Sequence, residues 1–382
     1  MTENLTPDSQ KITPRHVFGN LPKYAAGKPP QKVEGLQQYK LSSNENPLGP
    51  VPAVQSVIQK FSASNRYPDP LCTDLREALG SKLGVDPEDI VTGGGSLGAL
   101  SQILAAFAGG NQDGSQDEVI YPWRSFEAYP IVTGLAGAKE VRVPNLPNGE
   151  HDLDAMAAAI TDRTKVVILC TPNNPTGPAL TKKKVQDFMA KVPSDIVVVL
   201  DEAYLEFCLA SELTDQERAE GGLAEGIDLY GEYNNLVILR TFSKAAGLAG
   251  LRVGYSISHP EITQYLRVSA TTFAVTKVAE EAAIASLEHS EEIADQVRHL
   301  VSERTRVVDA LTDQGWDIPA TRANFVWLPL GERTQDFARL ADDNALSVRA
   351  FHPEGVRVSI GEDEANTRFI RIAGEFLDGS GR

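Results

Sequence analysis

Three stretches in the middle of the chain are apolar at every position: Val166-Val-Ile-Leu-Cys170, Ile196-Val-Val-Val-Leu200 and Leu236-Val-Ile-Leu239. A strand buried on one face alternates apolar and polar residues, so unbroken runs of this length mark strands covered on both faces, as in a parallel sheet with helices above and below it. Thr181 to Lys191 reads as a helix between the first two runs, which predicts a βαβ unit. Upstream, Ile90-Val-Thr passes through Gly93-Gly94-Gly95 into an amphipathic helix that begins near Ser96. Downstream, a long helical pattern runs from Val278 through Leu311, and Leu346 to Phe351 and Gly355 to Gly361 read as two short strands. The alternation of strand and helix predicts an α/β chain.

At 382 residues and 42% hydrophobic content, the chain is too long for one compact domain of usual size. The expected division is a large domain over residues 41–285 and a small one made of an N-terminal arm, residues 1–40, with residues 286–382. The helix from Val278 to Leu311 would bridge them, and Pro22 to Gly35, rich in Pro, Gly, Lys and Gln, reads as an extended arm. The net charge of −16, from 36 basic and 52 acidic residues, argues against a nucleic-acid partner. Cys72, Cys170 and Cys208 are odd in number and form no Cys-x-x-Cys, and the six histidines lack metal-ligand spacing, so no metal site is expected. The first twenty residues are polar and offer neither a signal peptide nor a membrane anchor. A soluble cytoplasmic protein with no membrane partner is the expectation.

The ends of the apolar runs carry the candidate chemistry. Asp201 follows its run directly, where open α/β sheets place their ligands. An aspartate there could instead cap the next helix. Tyr204, three residues on, is placed to turn its hydroxyl back toward the same region. Thr171-Pro-Asn-Asn-Pro-Thr-Gly177 is a loop whose Asn174 can donate a hydrogen bond, although such turn formers occur in any protein. Thr241-Phe-Ser-Lys244 leaves the third run. A lysine among small residues after a buried strand is partly desolvated, which lowers its pKa and makes it a nucleophile; alone, it would be an ordinary surface charge. Backbone amides near Gly94, Gly95 and Ser96 would face an anion at a helix N-terminus. The loop lacks both the Walker A Gly-Lys-Ser/Thr and the dinucleotide fingerprint. Ser243 and Arg252 would complete a phosphate cup.

Together, Pro172-Asn-Asn-Pro-Thr-Gly177, Asp201-Glu-Ala-Tyr204 and Thr241-Phe-Ser-Lys-Ala-Ala-Gly-Leu-Ala-Gly-Leu-Arg252 resemble the fold-type I pyridoxal-phosphate aminotransferases, within the branch that holds histidinol-phosphate and bacterial aromatic aminotransferases. The resemblance implies a large, mostly parallel sheet domain with helices on both faces and a smaller α+β domain. It makes pyridoxal 5′-phosphate the cofactor and Lys244 the catalytic lysine that holds it and takes the substrate α-proton. Asp201 would pair with the pyridine nitrogen, and Asn174 and Tyr204 with the phenolic oxygen. Gly94, Gly95, Ser96, Thr241, Ser243 and Arg252 would hold the phosphate end. Trp123, in Tyr121-Pro-Trp-Arg-Ser-Phe-Glu-Ala-Tyr-Pro130, would stack on the ring, although the segment departs from the Pro-x-Tyr or Pro-x-Phe form common in histidinol-phosphate enzymes.

Arg66-Tyr-Pro-Asp-Pro70 matches a segment whose tyrosine, Tyr67, reaches the cofactor phosphate of the other subunit, which implies a homodimer with shared sites. Tyr24, Asn46, Arg349 and Arg357 match substrate-binding positions, Arg357 as the α-carboxylate clamp and Arg349 as a residue that helps hold a substrate phosphate. Phe18 and Phe273 are further aromatic candidates on composition alone. Trp123 to Pro130, Ser243 to Arg252 and Asn324 to Arg333 are close to the aromatic branch. The favoured substrates are therefore phenylalanine, tyrosine and tryptophan, with a 2-oxo acid such as 2-oxoglutarate as acceptor; histidinol phosphate is the alternative. A carbon–sulfur lyase or decarboxylase on this fold would share the cofactor residues. A cofactor-sensing regulator would need a DNA-binding domain ahead of Asn44, where only about forty residues stand.

Overall fold

The computed structural model describes residues 16–19, 21–24 and 27–379. Most of the first twenty residues, whose polar character is the ground for expecting no signal peptide or membrane anchor, lie outside that range. Seven strands form the large sheet: Ile90–Gly93, Glu118–Trp123, Lys139–Pro144, Thr164–Cys170, Val197–Asp201, Leu236–Thr241 and Gly254–Ser258. In space, Thr164–Cys170, Val197–Asp201 and Leu236–Thr241 lie side by side and parallel at the centre. Glu118–Trp123 and then Lys139–Pro144 continue the parallel set on one side. Gly254–Ser258 runs antiparallel on the other, with Ile90–Gly93 antiparallel beyond it.

The unbroken apolar runs behave as their composition predicts. Along the Asp201 strand, Val197 and Val199 pack to one face against the helix Gly95–Phe107 and residues of the helix Pro260–Ser269. Val198 and Leu200 pack to the other face with Val185, Phe188 and Met189 of the helix Lys182–Met189. The βαβ unit stands as expected, with its helix a residue or two shorter at each end. The Gly254–Ser258 strand was not legible, because a glycine and two serines break its apolar signature.

The second half differs in two details. The pattern from Val278 to Leu311 is two helices, Lys277–Glu288 and Ser290–Asp313, broken at His289. The expected strand from Leu346 to Phe351 is also two pieces. Leu346–Ser347 pairs in parallel with Tyr39–Lys40, and Arg349–Phe351 joins Gly355–Ser359 and Phe325–Leu328 in a three-stranded antiparallel sheet. That sheet packs with the helices Ser290–Asp313, Thr334–Asp343 and Asp363–Leu377 around Phe325, Phe337 and Phe369.

Buried charge locks the central strands in register. Arg240, on the Leu236–Thr241 strand, donates through Nε to Glu202 Oε2 at 2.7 Å and through Nη2 to Glu225 at 3.2 Å. Glu202 also accepts from the backbone of Gly226. Removing one partner of such a network leaves an uncompensated charge indoors, at a cost of about 3–5 kcal/mol. The network therefore fixes the residue next to Asp201 against the strand that leads to Lys244.

Candidate active site

Asp201 ends its strand, and Asn174 and Lys244 shortly follow the carboxyl ends of the parallel strands on either side, so the sheet delivers all three to one edge. There they line a cavity of about 350 Å³, a size suited to a small ligand. Ser96, Tyr204, Thr241, Ser243 and Arg252 line it as well, and Tyr24, Arg349 and Arg357 close it from the arm and the small sheet.

Asp201 is 5% exposed. Its Oδ2 accepts from the Tyr129 hydroxyl at 2.7 Å and its Oδ1 from the Ala203 amide at 3.2 Å. Burial pushes its carboxyl up to about 6, against these two hydrogen bonds, which pull it down. Among the described residues Asp201 forms no ion pair. Lys244 Nζ donates to the Ser43 carbonyl at 3.2 Å. Desolvation, reinforced by the Arg357 charge, lowers the Lys244 ammonium to about 7, so a large fraction is neutral and nucleophilic at neutral pH. Arg357, 7% exposed, donates to Asn174 Oδ1 and, at 2.8 Å, to the Ser42 carbonyl. Its Nε has no partner and no carboxylate pairs with it among the described residues. The Tyr204 hydroxyl accepts from Asn44 Nδ2 at 3.0 Å and Asn174 Nδ2 at 3.2 Å.

One end of the cavity is shaped for an anion. Arg252 donates to Ser243 Oγ at 3.2 Å, and Thr241 Oγ1 lies 2.9 Å from the same oxygen. Gly95 has φ +75°, and a Cβ there would strike the Arg252 guanidinium, so a side chain at 95 would fill the cup. Gly94 precedes the helix that starts at Gly95 and whose Ser96 reaches the cavity. A phosphate fits this end, and a protonated ring nitrogen fits the unpaired Asp201 carboxylate.

Gly94, Gly95, Trp123 and Asn46 were expected at the site and are not among the residues that line the cavity, and Tyr67, expected to serve a second copy, is not in its own. Trp123 does not line the cavity; it ends its strand with Arg142 and Arg124 guanidinium carbons 4.2 and 4.7 Å from its ring centre, and Phe126, three residues further round the loop, lines the cavity in its place. Asn46 does not line it either. Its Nδ2 holds the Ala245 carbonyl at 2.9 Å, beside Lys244, and Asn44 takes the cavity position. Tyr67 lies outside its own chain's cavity, 84% exposed and stacked on Phe273 at 4.7 Å. Phe18 and Phe273 do not line the cavity. Sequence reasoning missed Asn44, Tyr129 and Glu127. Tyr129 and Glu127 lie in the quoted Tyr121 to Pro130 segment, where the mixture of aromatic and charged residues was the available signal. Among the described residues no group of His, Cys, Asp and Glu gathers as a metal site, and no helix is long and apolar enough to cross a membrane.

A mostly parallel sheet with a lysine, an aspartate and a phosphate-shaped cup at its carboxyl edge defines the fold-type I aminotransferase class of site. The model of the class I and II aminotransferases matches residues 37–372, and the chain belongs to that pyridoxal-phosphate-dependent family and is an aminotransferase. It is 49% identical over 357 residues, 93% of this chain and 95% of the relative, to an aromatic amino acid aminotransferase of Streptomyces coelicolor. A second aromatic amino acid aminotransferase, from Mycolicibacterium paratuberculosis, is 43% identical over 380 residues, covering 99% of both chains. Among solved structures, a histidinol-phosphate aminotransferase of Sinorhizobium meliloti in complex with pyridoxal-5′-phosphate superposes with a TM-score of 0.77 at 26% identity, over 89% of this chain and 91% of that one. A putative histidinol-phosphate aminotransferase of Erwinia carotovora, at 24% identity, shares the fold with a TM-score of 0.80 over 94% of this chain and 100% of its own.

The raised Asp201 carboxyl has a consequence for the cofactor-free protein. A carboxyl whose folded pKa lies above the ordinary 3.8 binds its proton more tightly when folded, so stability falls as pH rises from about 4 to about 6 and stays lowered above that. Asp201→Asn removes the ionisable group. At about pH 8 the cofactor-free variant should be more stable than wild type by roughly 1–3 kcal/mol, with the difference shrinking toward pH 4. Urea melts at both pH values check this; a variant no more stable than wild type at the higher pH contradicts the desolvated carboxylate.

Proposed function

We propose that the protein is a pyridoxal-phosphate-dependent aminotransferase that moves the amino group between an aromatic amino acid and a 2-oxo acid such as 2-oxoglutarate. The observation that carries this reading is one cavity in which a lysine lowered to about 7 lies with a buried unpaired carboxylate and a buried guanidinium that has no acidic partner. The two aromatic aminotransferases that cover nearly the whole chain at 43–49% identity support the aromatic side chain.

Bound here, pyridoxal phosphate supplies an aldehyde for the substrate amine and a ring that accepts the electrons left at Cα. Ser96, Thr241, Ser243 and Arg252 would hold its phosphate, Asp201 its ring nitrogen, and Asn174 with Tyr204 its phenolic oxygen. Arg357 binds the substrate α-carboxylate, where a two-pronged guanidinium fixes both position and orientation. Lys244 Nζ, unprotonated at neutral pH in a large fraction of molecules, takes the proton from the substrate Cα and returns it later in the cycle. Asn44 and Asn174 keep the Tyr204 hydroxyl aimed into the cavity. Phe126 shields one wall from water.

Tyr67 is proposed to serve the cofactor phosphate of a second copy, because an 84% exposed tyrosine stacked on Phe273 has no role in its own cavity. The large domain over residues 41–285 and a small domain formed by the arm with residues 286–382 remain the proposed division, supported by the pairing of Tyr39–Lys40 with Leu346–Ser347. A cytoplasmic location fits the acidic composition.

With 2-oxoglutarate as acceptor, kcat/KM for phenylalanine should exceed that for histidinol phosphate by at least about tenfold, equivalent to about 1.4 kcal/mol. Equal or greater efficiency with histidinol phosphate overturns the aromatic reading and leaves the aminotransferase chemistry standing.

Tyr67→Phe should weaken cofactor affinity by one charge-assisted hydrogen bond, roughly 1.5–3 kcal/mol. Mixed with Lys244→Ala subunits at limiting cofactor, Tyr67→Phe subunits should regain activity, since each heterodimer then holds one intact site. Activity no higher than the sum of the parents rules out a shared site.

A further inference from the structure

Immediately after Phe126, Glu127 enters the cavity wall and meets Arg349 of the small sheet. Arg349 Nη2 donates to Oε1 at 2.7 Å and to Oε2 at 2.6 Å, and Nε donates to Oε2 at 3.1 Å. The side chains are 12% and 25% exposed, so water screens this pair less than it would a surface one. Three residues earlier on the same loop, Arg124 pairs with Glu354 from the turn that follows Phe351, which pins the loop to the hairpin that carries Arg349. Across that hairpin Arg349 stands directly opposite Arg357. Without Glu127 the wall would present two guanidinium groups side by side; with it, Arg357 is the one of the two that has no acidic partner among the described residues.

We propose that Glu127 determines substrate specificity: by neutralising Arg349 it leaves the side-chain end of the cavity without net positive charge, so that uncharged aromatic side chains are accepted and side chains ending in a dianion such as a phosphate monoester are rejected. This rests on the aromatic reading above. A phosphate reaching this wall would face the Glu127 carboxylate, or would strip Arg349 from it and leave that carboxylate unpaired in a half-dry wall. Either outcome penalises the phosphate ester. An aromatic ring requires neither, and it finds Phe126 and the flat Arg349 guanidinium beside it.

The test uses cofactor-loaded wild type, Glu127→Gln and Glu127→Gln combined with Arg349→Met. Two quantities are read: the ratio of kcat/KM for histidinol phosphate to that for phenylalanine, and the inhibition constant of inorganic phosphate against phenylalanine. Glu127→Gln should raise the ratio at least about tenfold and tighten phosphate inhibition by a similar factor, and adding Arg349→Met should remove both gains. An unmoved ratio and inhibition constant in Glu127→Gln, or gains that survive the second substitution, overturn the proposal. Should Glu127→Gln not fold, Arg349→Gln breaks the same pair from the other side and should lower the ratio further; an unchanged or raised ratio again overturns it. Wild type that prefers histidinol phosphate defeats the aromatic reading and this proposal with it, whereas wild type that prefers phenylalanine while Glu127→Gln leaves the ratio unchanged defeats only the role of Glu127.

Discussion

Two buried charges of opposite sign, Asp201 and Arg357, face one cavity without an ionic partner from the described chain, and the rest of the site is organised around them. Taking an ion out of water costs several kcal/mol unless something pays it back, and folding alone does not do so here. The carboxyl responds by rising to about 6, and the guanidinium is lowered from its ordinary value by the same desolvation. Lys244, in the same cavity, falls to about 7. Each of these shifts is unfavourable to the empty fold and favourable to a ligand that carries a cationic ring nitrogen, a carboxylate and an electrophilic carbon. Stability is conceded where function needs charge.

The scaffold bears that concession because it is rigid around the cavity. Central parallel strands covered on both faces end at Cys170, Asp201 and Thr241, so Asp201 stands on the sheet itself while Asn174 and Lys244 lie on the short segments that leave it. The Arg240–Glu202–Glu225 network ties the residue beside Asp201 to the strand that leads to Lys244. Backbone carbonyls of Ser42 and Ser43 reach Arg357 and Lys244, so the segment just after the arm is part of the site. The small sheet contributes Arg349 and Arg357 from facing positions of one hairpin, and the loop 124–127 contributes the charges that meet it. The proposal thus puts substrate selection where the loop 124–127 meets that hairpin, and bond chemistry at the edge of the large sheet.

What could be read from the sequence follows what period and composition encode. Fully apolar runs with Asp201, Asn174 and Lys244 at their ends were legible, because burial on both faces and position at a strand end are local properties. Gly254–Ser258 was not, since its partners and not its composition make it a strand. Trp123 and Phe126 compete for the same place in the sequence, and only the path of the loop after the strand decides which ring enters the cavity. Asn44 and Asn46 pose the same problem in Ser42-Ser-Asn-Glu-Asn46: Asn44, at φ 52°, points one way to Tyr204, while Asn46 braces Ala245. The pairing of Glu127 with Arg349 spans more than two hundred residues of chain and leaves no local trace.

Desolvation at the end of the Leu236–Thr241 strand lowers Lys244, which we propose as the amine that holds pyridoxal phosphate. The most direct measurement is borohydride reduction of the cofactor-loaded protein at neutral pH, followed by digestion and mass spectrometry of every lysine-containing peptide. The pyridoxyl group should be found on Lys244 at close to one per chain and be absent when phenylalanine is added before the reductant. A label on another lysine, or none at Lys244 in protein that binds the cofactor, would contradict the account.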